Sequence, residues 1–114
     1  ALVIAPTREL SVQITNDLER FTASFKRLNI VTVYGGASIR DQIMKVKRGA
    51  QIIVATPGRL IDLLSRKVVD LTAVRYVVLD EADEMLNMGF KEDIDEILST
   101  TPDTKKVWLF SATM

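Results

Sequence analysis

Asp80-Glu81-Ala82-Asp83 stands directly after the apolar run Tyr76–Leu79 (YVVL). Acidic residues in that place can do phosphate chemistry. An aspartate at a strand end holds Mg²⁺ through water, and the carboxylate beside it polarises a water for attack on phosphorus. The same residues also suit the first turn of a helix, where unpaired N–H groups and the helix dipole favour negative charge. A second cluster, Ser111-Ala112-Thr113, follows the run Val107–Phe110 (VWLF). Its hydroxyls can relay the state of the acidic cluster by hydrogen bonds to Asp83 or its neighbours, although a small polar tripeptide alone is also an ordinary turn. Pro6-Thr7-Arg8-Glu9-Leu10 and Thr56-Pro57-Gly58-Arg59 each combine a hydroxyl, a cation and the first amides of a helix, a set suited to a backbone phosphate. Gly35-Gly36 either lets a ligand approach the main chain closely or makes a tight turn. None of these three loops contains an aromatic residue. That favours a sequence-independent grip on a sugar-phosphate chain over base stacking.

These clusters need elements to position them. Ala1–Ala5, Ile30–Tyr34, Ile52–Ala55, Tyr76–Leu79 and Val107–Phe110 read as strands. Their near-continuous apolar character is that of parallel strands covered on both faces. Leu10, Ile14, Leu18, Phe21 and Phe25 recur at helical spacing and predict one helix. Ser38 caps a second over Ser38–Lys47. Thr56-Pro57 starts a third that runs through Leu60, Ile61, Leu63 and Leu64, and Lys91–Leu98 forms a fourth with Ile94, Ile97 and Leu98 inward. Strands alternating with helices predict right-handed crossovers and a doubly wound, mainly parallel α/β sheet with helices on both faces. In such sheets chemistry gathers at the carboxyl ends of the strands, and every polar cluster named above follows a strand.

With 114 residues, 47% hydrophobic and 26% charged, the chain has the proportions of one soluble domain. No apolar run approaches the ~20 residues that span a bilayer. Cysteine and histidine are both absent. That excludes disulfides, thiolate nucleophiles, zinc-thiolate sites and imidazole acid–base chemistry, leaving carboxylates, hydroxyls, cations or a bound metal. The lack of cysteine fits a cytoplasmic protein. A net charge of zero hides a split. Residues 1–79 hold 12 Lys/Arg against 6 Asp/Glu, and residues 80–114 hold 3 against 9. Such asymmetry points to a polyanion partner on the basic side, or to solvated charges sorted by chance. Lys26, Arg27, Lys45, Lys47, Arg48, Arg66 and Lys67 read as solvated helix faces, and Met85, Leu86 and Met88 as packing.

Taken in order, PTREL, GG, TPGR, DEAD and SAT at these intervals resemble the DEAD-box RNA helicases of superfamily two over essentially the whole chain. VLDEADEML followed by GF is the most specific stretch, and its wording is closer to bacterial members. The resemblance implies a RecA-like domain in which Asp80 holds the Mg²⁺ of bound ATP through water, while Glu81 positions and deprotonates the attacking water. It further implies that Asp83, Ser111 and Thr113 couple hydrolysis to RNA handling, and that Thr7, Arg8, Gly35, Gly36, Thr56, Gly58 and Arg59 line an RNA-backbone site. ATP would close a second RecA-like domain over the strand.

The chain departs from the family by omission, since nothing in it matches G-x-x-x-x-G-K-[ST], the loop that cradles the β- and γ-phosphates. On the family pattern residues 1–114 are part of the N-terminal RecA-like domain, without the phosphate-loop segment and the C-terminal helicase domain. The isolated chain is therefore expected to be inactive. In the family the phosphate-loop strand lies inside the sheet, so its loss is expected to leave unpaired edges and an exposed apolar face. The truncated sheet could then self-associate, or the chain could be a proteolytic remnant or part of a longer chain. Two other classes compete. One is a non-catalytic RNA-binding module that keeps the basic loops. The other is an unrelated doubly wound enzyme, against which stand the missing G-x-G-x-x-G and the placement of Lys105 and Lys106 before their strand rather than after it.

Overall fold

The computed structural model describes residues 1–25 and 28–111, so Lys26, Arg27 and Thr113 lie outside the described residues. Strands β1 (Leu2–Ile4), β2 (Ile30–Val33), β3 (Ile52–Ala55), β4 (Tyr76–Leu79) and β5 (Lys106–Leu109) form one sheet in the order β2-β3-β1-β4-β5. Every pairing is parallel. Helices α1 (Arg8–Phe21), α2 (Ile39–Lys47), α3 (Pro57–Ser65), α4 (Ala82–Asn87) and α5 (Lys91–Ser99) make the crossovers. The expected strands are present within a residue or two. The short α4 is an element the periodicity did not predict.

Pleating divides the sheet into two unlike faces. On one, Leu2 and Ile4 stand level with Val77 and Leu79 on β4, and across β3 with Val31 and Val33 on β2. This face is buried under Leu60 and Leu63 of α3, Met85 of α4 and Ile94 and Ile97 of α5, with Ile39, Ile43 and Val46 of α2 packed at its margin. The other face carries Val3, Val54 and Thr32 beneath α1. The helix presents not its apolar stripe but Ser11 and Thr15, which are buried. The Thr15 hydroxyl lies 2.9 Å from the Ser11 carbonyl and 2.6 Å from the Thr32 hydroxyl, so two small side chains bring the helix close to β2. Leu10, Ile14 and Leu18 are consequently half-buried and Phe21 is exposed. Phe25 lies beyond the helix, because the Thr22 amide and hydroxyl both return to the Leu18 carbonyl and close α1 there.

The expectation that every strand is covered on both faces is corrected at β5. All four of its residues are exposed, including Trp108 at 55% and Leu109 at 65%. The cause is topological: among the described residues no strand pairs with its outer side, and α1 packs mainly on β2 and β3, at the far end of the sheet from β5. Leu86 and Met88 are likewise exposed, and of the three apolar residues read as packing there, only Met85 is buried.

Candidate functional site

Five parallel strands in register place all their carboxyl ends on one edge, and with them the polar clusters. At the end of β4 the Asp80 amide donates to the Ile4 carbonyl at 2.9 Å, and Asp80 Oδ1 accepts from the Glu81 amide at 2.9 Å. Glu81 then turns into the left-handed region (φ 50°, ψ 50°) and begins α4, with Asp83 and Glu84 in its first turn. The acidic cluster therefore opens a helix, as one reading expected, and does so directly at the strand end. A non-glycine residue in that region costs about 1–2 kcal/mol. Here it is held by the Ala82 amide donating to the Phe110 carbonyl at 2.9 Å and the Met85 amide donating to the Glu81 carbonyl at 3.1 Å. The Ala82–Phe110 bond also ties the acidic loop to the end of β5, so Asp83 and Ser111, both half-buried, flank one backbone joint.

Asp80 shares a groove of about 360 Å³ with Val3, Ile14, Leu18, Val78 and Phe110. Among the described residues no group of three or more carboxylates, histidines or cysteines could enclose a metal. A cation beside Asp80 must take most of its ligands from phosphate and water. That is the habit of Mg²⁺, so a single strand-end carboxylate fits it.

Further along the edge, Pro6, Arg8, Gly35, Thr56, Pro57, Gly58, Arg59, Asp62 and Phe90 line a cleft of about 420 Å³. The structure thus brings together Arg8, Gly35, Thr56, Gly58 and Arg59 from three separate loops. Thr56 is the N-cap of α3 but makes no capping hydrogen bond with its side chain, which leaves its hydroxyl to the cleft. With Pro57 at the first helical position, the amides of Gly58 and Arg59 have no partner within the helix. Thr7 is not part of the lining. Its hydroxyl accepts from the Leu10 amide at 3.2 Å and caps α1. Gly36 sits at φ +84°, which a side chain would strain, next to the Arg8 guanidinium. At Gly35 and Gly58 the backbone is ordinary, and a Cβ would meet nothing within 4 Å. The chain's own packing therefore does not require glycine at either position.

Reasoning from single loops missed two residues. Phe90 joins the cleft from the turn after α4, so an aromatic does border it, although none occurs within the three loops. Gln42 is the buried polar residue of α2, with its amide between Tyr34 and Arg59. A glutamine inside an otherwise apolar helical face (Ile39, Ile43, Val46) was the available signal for it.

The all-parallel five-stranded sheet with its helices matches part of the RecA-like α/β domain of solved DEAD-box proteins. The family model described as DEAD/DEAH box helicase matches residues 1–114, and the chain belongs to that family. It is 53% identical over its whole length to an ATP-dependent RNA helicase, DeaD, of Mycobacterium tuberculosis, and 56% identical to the DEAD-box ATP-dependent RNA helicase CshA of Streptococcus pneumoniae. It spans 20% and 22% of those proteins, about a fifth of their length. Among solved structures it matches a DEAD box protein from Methanococcus jannaschii with a TM-score of 0.90 and 46% identity, over 99% of this chain and 31% of that one. The yeast splicing factor Prp28 matches with a TM-score of 0.91 and 33% identity, over 99% of this chain and 27% of that one.

Proposed function

We propose that the protein carrying this chain is a cytoplasmic ATP-dependent RNA helicase that couples ATP hydrolysis to local unwinding or remodelling of RNA duplexes. Residues 1–114 are read as part of its N-terminal RecA-like domain, which closes against a second such domain. The observation that carries this reading is adjacency. β4, bearing the acidic cluster, pairs with β1, bearing Pro6–Arg8, which pairs with β3, bearing Thr56–Arg59. The nucleotide side of the edge and its RNA side therefore stand on directly bonded strands.

In this reading Asp80 would hold Mg²⁺ through water, and the ion would neutralise phosphate charge. Glu81 orients the attacking water and accepts its proton. Asp83, Ser111 and Thr113 link that step to the rest of the edge. Arg8, Arg59, the Thr56 hydroxyl and the amides of Gly58 and Arg59 hold consecutive phosphates of one RNA strand, with Thr7, Gly35 and Gly36 shaping the turns beside them. Close approach of RNA to the main chain accounts for glycine where this chain leaves open space. Gly35→Ala and Gly58→Ala in the full-length protein are expected to fold normally and bind RNA about tenfold more weakly, as a methyl group intrudes where a phosphate must sit. Unchanged RNA affinity in both, measured by fluorescence anisotropy, would remove the cleft from the RNA path.

For the 114 residues alone a second reading is favoured by the missing phosphate loop: a binding module without turnover. Salt-sensitive RNA binding with no ATP hydrolysis above background supports it. RNA-stimulated turnover by the isolated chain would refute it. The bare β5 edge further predicts that the isolated chain self-associates through Val107–Phe110. Light scattering coupled to gel filtration should show species larger than 12.8 kDa. Trp108→Lys, which places a charge on the open strand, should return them to monomer.

A further inference from the structure

Both cleft arginines are held from one short stretch of chain, Tyr34 to Gln42. The Arg8 guanidinium lies over the Tyr34 ring, 4.9 Å from its centroid. Arg59 Nη1 donates to Gln42 Oε1 at 2.9 Å, and Arg59 Nη1 and Nη2 both donate to the Ala37 carbonyl at 3.3 Å. The Gln42 amide closes the loop by donating from Nε2 to the Tyr34 carbonyl at 3.0 Å. Gln42 is 6% exposed, so both ends of its amide are satisfied inside the protein.

We propose that Gln42 is a positioning residue for RNA binding: it fixes Arg59 directly, and its own bond to the Tyr34 carbonyl holds it in place to do so. The proposal rests on the reading of the cleft as an RNA-backbone site. An arginine side chain free in solvent loses rotamer freedom when it grips a phosphate; one already held by Gln42 and Ala37 has lost it during folding. A buried amide is suited to this task. It accepts from the guanidinium without cancelling its charge, as a carboxylate would, and so leaves the positive potential for the phosphate. The three-loop cleft also gains a brace, because the glutamine spans α2, the end of β2 and the start of α3.

The test uses the full-length protein and a labelled single-stranded oligouridylate, with a non-hydrolysable ATP analogue present. Gln42→Met keeps the bulk and removes both hydrogen bonds. RNA affinity should fall about threefold to tenfold, the factor for ordering one long side chain at binding rather than before it. Arg59→Ala should fall at least as far. In the Arg59→Ala background, Gln42→Met should add less than about a twofold further loss, a coupling that a merely structural glutamine would not show. If Gln42→Met is not accommodated, Gln42→Ala carries the same cycle, since it only removes atoms and alanine favours the helix. Additive losses, or wild-type affinity in the Gln42 variant while Arg59→Ala binds weakly, overturn the positioning role and leave the cleft standing. Wild-type affinity in Arg8→Ala and Arg59→Ala alike overturns the cleft reading itself.

Discussion

Replacing Glu81 by glutamine in the full-length protein is expected to lower RNA-stimulated ATP turnover by about 10²–10⁴-fold, the range for loss of a positioned general base. RNA binding should stay within about twofold of the wild type. The separation follows from where the residue sits. Its left-handed backbone is held by the Asp80 carboxylate, the Phe110 carbonyl and the first turn of α4, and none of these bonds uses the Glu81 side chain. Glutamine has the same Cβ and length, so it inherits the conformation and presents an amide where the carboxylate was. The change is chemical and leaves the loop's shape intact. Steady-state hydrolysis with saturating RNA, together with anisotropy for binding, checks both halves. Turnover within tenfold of the wild type would move the base to another residue.

A large effect of a different kind is expected at Leu63. It is fully buried among the strand residues and α5, and α3 depends on it and Leu60 for contact with the core. Leu63→Ala should cost about 2–5 kcal/mol, the lost transfer energy plus a residual cavity. Against a typical stability of about 5–15 kcal/mol that is a large fraction. Leu63→Met, which roughly conserves volume, should cost less than about 1.5 kcal/mol. Urea denaturation followed by Trp108 fluorescence compares the two. The functional consequence is specific as well. Because α3 carries Thr56, Gly58 and Arg59 at its start, loosening its buried side should weaken RNA binding before the domain unfolds. Equal midpoints for the alanine and methionine variants would show that α3 does not depend on this contact.

Much of the architecture was legible because parallel strands write themselves as short β-branched runs, and each polar cluster followed one. A single inference, that the sheet is mainly parallel, placed every cluster on one edge, and the register shows all five strands parallel. Ser38 and Thr56-Pro57 marked helix starts correctly because a side-chain cap at the one and a proline at the first helical position of the other are local chemistry. Apolar periodicity found α1 but not the residues it buries, since Ser11 and Thr15 face the sheet. Helix packing there is governed by how closely two backbones can approach, and small polar residues with mutual hydrogen bonds allow more than leucine does.

What the sequence determined by itself was the family and the inventory of chemistry: carboxylates at one strand end, hydroxyls at the next, arginines and glycines on three loops. Residue type and order are local properties, and they survive without coordinates. How those parts combine was settled by folding. It put Glu81 in a strained turn bonded to β5, drew Thr7 into a helix cap, brought Phe90 into the cleft from a distant segment and set Gln42 between two loops. Each depends on segments far apart in the chain meeting in space. No spacing of residues specifies such a meeting until the sheet has formed beneath them.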